Sequence, residues 1–409
     1  MYYIYLQLRR FLYLLTLASA TTGGYWSIRL GRADWLAGQT TAPAAMRSTE
    51  LAVGNSTYLR NAAEIREAEG LSSNGLRERA ARVNPLDSVN WIYLAAQAEI
   101  EGHNAEAERE LLRAFDVDHQ FEPRWALANF YFRAGKPRES LAWARKTLEF
   151  GAGDRTSLFR LCWDASGNAQ EILDKAIPHR AKVLAQYVQF LDGSSRPDDA
   201  DGVAELLLPL ASSEEVPMLV AHCSRSLNAG KAGAAIAVWN GLIEKGLMAG
   251  ERIEPATGKP SVDAGFQREM TGQGFAWGVE PADGVSIEHP GRRRGVRVVF
   301  SRNQPEHHSI LGQWVVLSPR RSYRYRMAFA ASGLIGAGWQ WVISLPRNKT
   351  VLMSARLPDN LQSGTLEARF QSRAYAELAR LELRFDRAPG TVRPEGSIEF
   401  SDLELEAEP

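Results

Sequence analysis

Cysteine is nearly absent from this chain, and net charge is absent altogether. The two cysteines, Cys162 and Cys223, do not amount to a disulfide framework, and neither has metal-ligand spacing. They could pair in an oxidising compartment, but nothing in the sequence brings them together, and each reads as a small core residue of a helix. Lys plus Arg and Asp plus Glu both number 48, so the formal net charge is zero. The positive field that draws in phosphate backbones is missing, and no nucleic-acid partner is expected. The local run Arg292-Arg293-Arg294, set between Pro290-Gly291 and Gly295, reads as a solvated turn.

Catalytic signatures are also lacking. There is no G-x-S-x-G, no H-E-x-x-H, no C-x-x-C and no phosphate-binding G-x-x-x-x-G-K-[ST]. Gly230-Lys231 lacks the upstream glycine and the following hydroxyl, and Gly336-Ala337-Gly338 lacks a third glycine and a helix after it. Asp198-Asp199 and Glu214-Glu215 stand beside helix starts, where carboxylates complement the helix dipole. The pair His307-His308 reads as a solvated turn, because adjacent side chains on an extended chain diverge. The expectation is therefore no enzyme, no cofactor and no metal.

One long charge-free run is present. Phe11–Ile28 is 18 residues, near the lower bound for spanning a bilayer, with Arg9-Arg10 before it and Arg29 after it. Tyr2, Tyr3, Tyr5, Tyr25 and Trp26 suit interfacial belts. Residues 1–38 therefore read as a membrane anchor. The alternative is a signal segment with Leu12–Leu17 as its apolar core, cleaved near Ala20 after Ala18-Ser19-Ala20. Either reading puts the body of the protein outside the cytoplasm, in the periplasm or cell envelope, or secreted.

Residues 39–250 are helix-forming, and their clearest part is periodic. Trp91 and Trp125 are 34 residues apart, as are Ala80 and Ala114, and Ala114 and Leu148. Leu94 and Ala95 supply a large and a small residue in a first helix. Gly102 marks a turn, and Ala107, Leu111 and Ala114 are the small, large and small sites of a second helix. The next unit repeats this with Ala128, Gly135, Leu141 and Leu148. An earlier, looser unit has Tyr58, Gly70 and Ala80, closing at Pro85. Small residues are needed where helix axes approach closely, and large ones fill the grooves beside them. The period and the order of these sites resemble tetratricopeptide repeats over about residues 55–150. The resemblance implies an α-solenoid that holds a protein partner in a groove lined by its first helices. Asn90, Tyr93, Gln97, Arg124, Asn129 and Arg133 are the candidate groove residues. From Gly151 to Gly250 the period degrades, with helices expected over Ala181–Leu191, Val203–Leu210, Val216–Leu227 and Ala232–Leu247.

Residues 251–261, with Pro255, Gly258 and Pro260, read as a linker. Beyond them the period becomes two. Tyr323, Tyr325, Met327 and Phe329 alternate with Arg324 and Arg326, and Leu381, Leu383 and Phe385 alternate with Glu382 and Arg384. About eight strands are expected, near 285–288, 295–301, 309–317, 322–332, 338–345, 364–371, 379–386 and 397–406. Turn signals such as Ser318-Pro319, Pro346-Arg347-Asn348 and Ala388-Pro389-Gly390 separate them. So many short antiparallel strands over 262–409 suit a jelly-roll β-sandwich. Gly274-Phe275-x-Trp277, the run Gly295 to Phe300, Gln313 to Pro319 and the closing G-S-I-E-F-S-D-L-E-L together resemble galactose-binding-like sandwiches used as carbohydrate-binding modules. The whole layout resembles bacterial cell-envelope tetratricopeptide proteins, a resemblance that implies a setting in polysaccharide assembly or secretion.

A sugar site needs exposed aromatic rings with hydrogen-bonding groups beside them. Trp277, Trp314, Trp339 and Trp341 are the candidate platform, and Gln313, Gln340 and His307 the candidate polar part. Against this stands the plainer expectation that Trp339 and Trp341 share a face that is simply the core. The overall expectation is a non-catalytic scaffold whose repeats bind protein. The alternative is a carbohydrate-binding protein whose repeats act as a stalk.

Overall fold

The computed structural model describes residues 2–73, 75–150, 153–194, 196–288, 294–358, 362–374, 377–387 and 390–408. The Arg292-Arg293 run and the Ala388-Pro389 turn lie outside them, as do the side chains of Tyr2, Tyr3 and Tyr5. The chain divides into two compact units, Met1–Pro178 and His179–Pro409.

The first unit is helical. Its elements are α1 (Tyr2–Ala37), α2 (Ala42–Leu51), α3 (Ser56–Ala68), α4 (Leu76–Val83), α5 (Ser88–Ile100), α6 (Asn104–Val117), α7 (Phe121–Arg133), α8 (Pro137–Phe150), α9 (Thr156–Ser166) and α10 (Ala169–Lys175). The pairs α3/α4, α5/α6 and α7/α8 are antiparallel hairpins, as the 34-residue period requires. Ala107, Leu111 and Ala114 on α6 are buried, and so are Leu141, Ala144 and Leu148 on α8. Gly102 and Gly135 take left-handed φ of 82° and 68°. That conformation lets the next amide reach back over the helix end, His103 N to Ala98 O at 2.8 Å and Lys136 N to Tyr131 O at 2.9 Å. This is the Schellman closure that glycine permits at least cost. Asp87 accepts from Val89 N and starts α5 just after Pro85.

The expected membrane helix is corrected here. Residues Tyr2–Ala37 do form one helix of 36 residues. Thr16, Ser19, Thr21, Thr22, Gly23 and Gly24 dilute its apolar run, however. Among the described residues no helix is long and apolar enough to cross a membrane. The far end of α1 is tied down, with Ala33 and Leu36 buried, Arg29 donating to Leu51 O and Asn61 donating to Ala37 O. Leu8, Phe11, Leu12, Leu14, Leu15 and Leu17 stand exposed.

The second unit begins with α11 (Ala181–Gly193), α12 (Pro197–Leu207), α13 (Val216–Asn228) and α14 (Ala232–Glu244). A charged cluster joins three of these helices. His222 is 1% exposed, with Nδ1 3.0 Å from Asp192 and Nε2 3.3 Å from Asp201. Arg225 also pairs with Asp192, whose side chain is 2% exposed, and Lys231 pairs with Asp201 at 2.8 Å.

The stretch 251–261 is stitched down and does not behave as a free linker. Ile253 is buried, Ser318 Oγ donates to Pro255 O, Val316 N to Pro260 O, and Arg321 to Ala256 O. Helices α13 and α14 also pack on the sandwich, through the Trp239–Phe275 ring contact and the bond from Gly274 N to Ser224 Oγ. These contacts place the compact division at residue 178, so α11–α14 group with the sandwich.

The sandwich has ten strands among the described residues: β1 (Gly278–Val279), β2 (Val285–Glu288), β3 (Val296–Ser301), β4 (His307–Leu317), β5 (Ser322–Ile335), β6 (Trp339–Leu345), β7 (Thr350–Arg356), β8 (Ser363–Gln371), β9 (Glu377–Asp386) and β10 (Glu395–Ala407). Eight match the expected segments, and β1 and β7 are additional. Two antiparallel sheets result, ordered β1-β4-β9-β6-β7 and β2-β3-β10-β5-β8. Strands β3 to β6 cross from sheet to sheet at each step, which wraps β3–β10 as a jelly roll. Between the sheets lies one apolar core that includes Trp277, Phe300, Tyr325, Trp339, Trp341, Phe385 and Phe400.

Candidate binding sites

The repeat residues come first. Asn90 does not face a groove. It is 1% exposed, donates to Ala80 O and Asn84 O, and accepts from Arg60 at 2.8 Å, tying α4 to α5. Tyr93 lies half-buried among Glu64, Arg60 and Arg77, and its hydrogen bond to Glu64, helped by burial, raises its pKa. Arg133 forms a two-pronged pair with Glu99, at 2.6 and 2.8 Å, between equivalent positions of successive first helices. Arg124 donates to Lys146 O, and Asn129 donates to Trp125 O. Those five side chains are engaged within the unit. Gln97 donates to Glu101 at 3.0 Å and lines a cleft of about 300 Å³ over α4, α5 and α6, together with Trp91, Leu94, Glu78, Glu101 and Arg113.

In the sandwich three of the four rings of the expected aromatic platform lie in the core. Trp277, Trp339 and Trp341 are at most 1% exposed. The even spacing of Trp339, Trp341 and Ile343 points all three inward, and Trp341 packs edge-on against Trp277 and Phe400. Gln313 is also fully buried and donates to Val262 O at 2.8 Å. None of these four can meet a sugar.

The opposite parity of the same strands builds a different surface. Trp314 pairs with Arg380 across β4 and β9, and Arg380 pairs with Ser344 across β9 and β6. One step along, Glu382 sits between Gly312 and Val342. A further step brings Arg384 beside Gln340, which is opposite Arg356 on β7. These residues form the outer face of the sheet, with β9 at its centre. Arg380 lies over the Trp314 ring, 5.3 Å from the centroid. Gly312 makes room for it, since a Cβ there would fall 2.9 Å from the guanidinium.

Hydrogen bonds order this face. Arg384 holds Glu382 through Nε at 3.0 Å and donates to Ser344 Oγ at 3.0 Å. Gln340 donates to Asp386 at 2.7 Å and accepts from Ser354 at 2.9 Å, while His307 reaches the other oxygen of Asp386 at 3.0 Å. Burial lowers the pKa of Arg380, opposed by Glu382 and Glu280. Trp314, Ser344, Leu345, Pro346, Lys349, Arg380, Glu382 and Arg384, with Asn228 from α13, line a cavity of about 480 Å³. A flat ring and a grid of donors and acceptors in one cavity suit a polyhydroxylated ligand.

Of the expected glycan residues, the structure keeps Gln340, Trp314 and His307 on this face and sends the rest to the core. Arg380, Arg384, Ser344 and Lys349 were not anticipated. The signal for the two arginines was the charged, outward half of the alternation in β9, a strand that turns out to be central; Ser344 in β6 and Lys349 in the turn after it carried none.

No known family model matches the chain, and no curated protein does. Solved structures similar to parts of it include carbohydrate-binding modules and helical repeat proteins. A CBM4 structure is 11% identical and covers 36% of this chain and 98% of its own, with a TM-score of 0.29. A "Family 16 Carbohydrate Binding Module-2" is 14% identical over 32% of this chain and 89% of its own, with a TM-score of 0.25. The helical group includes YrrB, "a TPR protein with an unusual peptide-binding site", 13% identical over 41% of this chain and 91% of its own, with a TM-score of 0.22. The likenesses are partial, and what the outer face does is read from its side chains alone.

Proposed function

We propose that the chain is a non-catalytic binding protein whose sandwich takes a saccharide on the outer face of the β1-β4-β9-β6-β7 sheet. The observation that carries this reading is the half-buried Trp314 ring, set among hydrogen-bonding side chains in a cavity of about 480 Å³. Sugar rings stack on such a ring through their C–H faces, and the amide, hydroxyl and guanidinium groups beside it match their hydroxyls. The test is Trp314→Ala in the full chain against an oligosaccharide panel. Loss of at least about tenfold in affinity, roughly 1.4 kcal/mol, with the fold intact supports the site. Unchanged binding sinks it.

The repeats supply a second binding surface, for a protein partner. Support comes from the cleft lined by Trp91, Leu94 and Gln97, and from Ile100 and Leu86, which stand 87% and 79% exposed. A photo-crosslinking residue in place of Gln97 should capture a partner, and a Trp91→Ala change should abolish the capture; capture that survives would place the surface elsewhere. Together the two surfaces suit a scaffold in envelope polysaccharide assembly or secretion, with the body outside the cytoplasm. Intact-mass analysis of the exported fraction tests that setting, and a full-length chain confined to the cytosol would end it.

A further inference from the structure

The charge of the cavity says which saccharide. Three cations line it, Lys349, Arg380 and Arg384, against one carboxylate, Glu382. Glu382 is already occupied, held by Arg384 and by Ser309 Oγ at 3.2 Å. Arg380 is the unusual member. Its side chain is 21% exposed, and the nearest carboxylate oxygen is 3.9 Å away, beyond hydrogen-bond range. No hydrogen-bond acceptor for its guanidinium occurs among the described residues. Glu280 acts on it only at longer range. Lys349, in the turn between β6 and β7, also has no carboxylate within 4 Å among the described residues. The Arg380 nitrogens are not sealed from water, so its N–H donors are open to an acceptor that enters the cavity.

We propose that the outer-face cavity binds an acidic saccharide, one that carries a carboxylate on the sugar ring. The planar fork of Arg380 would receive that carboxylate, Lys349 would add the second charge, and Trp314 would take the ring face. A neutral glycan would add no counter-charge to Lys349, and would leave Arg380 with only the distant Glu382 and Glu280. This inference rests on the saccharide reading of the same face.

The test uses the full chain and titration calorimetry with uronate trisaccharides of galacturonate, glucuronate and mannuronate, each paired with its methyl ester. The ester keeps shape and hydroxyls and removes the charge. The expected result is at least about a tenfold preference for one free acid over its ester at low salt, shrinking as salt rises. Arg380→Gln should erase the preference. Lys349→Gln, in an exposed turn where folding is not at stake, should reduce it about threefold. Equal affinity for acid and ester overturns the inference and leaves the saccharide site standing. No binding of either overturns both. A sulfated trisaccharide bound as tightly as the uronate removes the carboxylate assignment. A short polyglutamate bound as tightly removes the saccharide itself.

Discussion

Trp314 and Trp341 are both candidate sugar platforms by sequence, and truncating each to alanine separates them. Trp341 is fully buried between the sheets against Trp277, Phe400 and Tyr325. Its removal deletes the largest kind of side chain from a packed core and leaves a cavity, a change that costs about 3–5 kcal/mol. The second unit is large enough that each kcal/mol moves its melting temperature by roughly 2–4 °C, so Trp341→Ala should lower the sandwich transition by about 6–20 °C. Trp314 is half-buried and contributes one contact with Arg380, worth about 0.5–1 kcal/mol beyond its partial burial. Its truncation should move the same transition by only a few degrees. Differential scanning calorimetry with saccharide titration of both variants decides the matter. Trp341→Ala should melt early yet retain affinity below its transition, and Trp314→Ala should melt nearly as the parent and lose affinity. If Trp341→Ala melts with the parent while losing affinity, the assignment of inner and outer faces is wrong.

Other outcomes follow from buried groups. Burial raises the Tyr325 phenol, the Glu64 hydrogen bond raises that of Tyr93, and burial, then the Glu108 hydrogen bond, pushes the Tyr131 phenol up to about 12, so these three tyrosines should ionise late in an ultraviolet titration. Because the folded pKa of Tyr131 exceeds the unfolded value near 10, its contribution to stability is complete below about pH 10 and lost as pH rises towards 12. Asp192→Ala would leave His222 and Arg225 facing a vacated position, at a cost of about 3–5 kcal/mol by chemical denaturation, and a loss under 1 kcal/mol would refute the pairing. Cys162 and Cys223 are unpaired and fully buried, with both thiols pushed up to about 12 by burial. Neither should react with a thiol reagent until the chain is denatured.

The repeats were legible because their helices obey local rules. Gly102 and Gly135 announce the turns, and small residues such as Ala107 and Ala114 announce close packing, all within one 34-residue window. The strands were legible from alternation, and β7 was missed because it follows its partner so closely. The site was harder to read. Alternation says that Trp339 and Trp341 share a face and that Trp314 and Gln313 do not, but it does not say which face is inside. That is settled by the partner sheet, through contacts such as Phe300–Trp339 between strands far apart in the chain. The internal partners of the groove residues were hidden for a similar reason, since Arg133 meets Glu99 and Asn90 meets Arg60 only once the hairpins stack. The membrane helix failed on composition, in the threonines and glycines from Thr16 to Gly24.

The stitched segment 251–261 changes what can be inherited or exchanged as a piece. A sandwich cut out at residue 262 would leave behind Ile253, the Pro255 and Ala256 carbonyls that accept from Ser318 and Arg321, and the Trp239 ring that covers Phe275. It would also lose Asn228 from the wall of the cavity. The portable piece is therefore His179–Pro409, four helices and a jelly roll together. A gene fusion that respects the boundary suggested by composition would carry the sheet face but not all of its cavity wall.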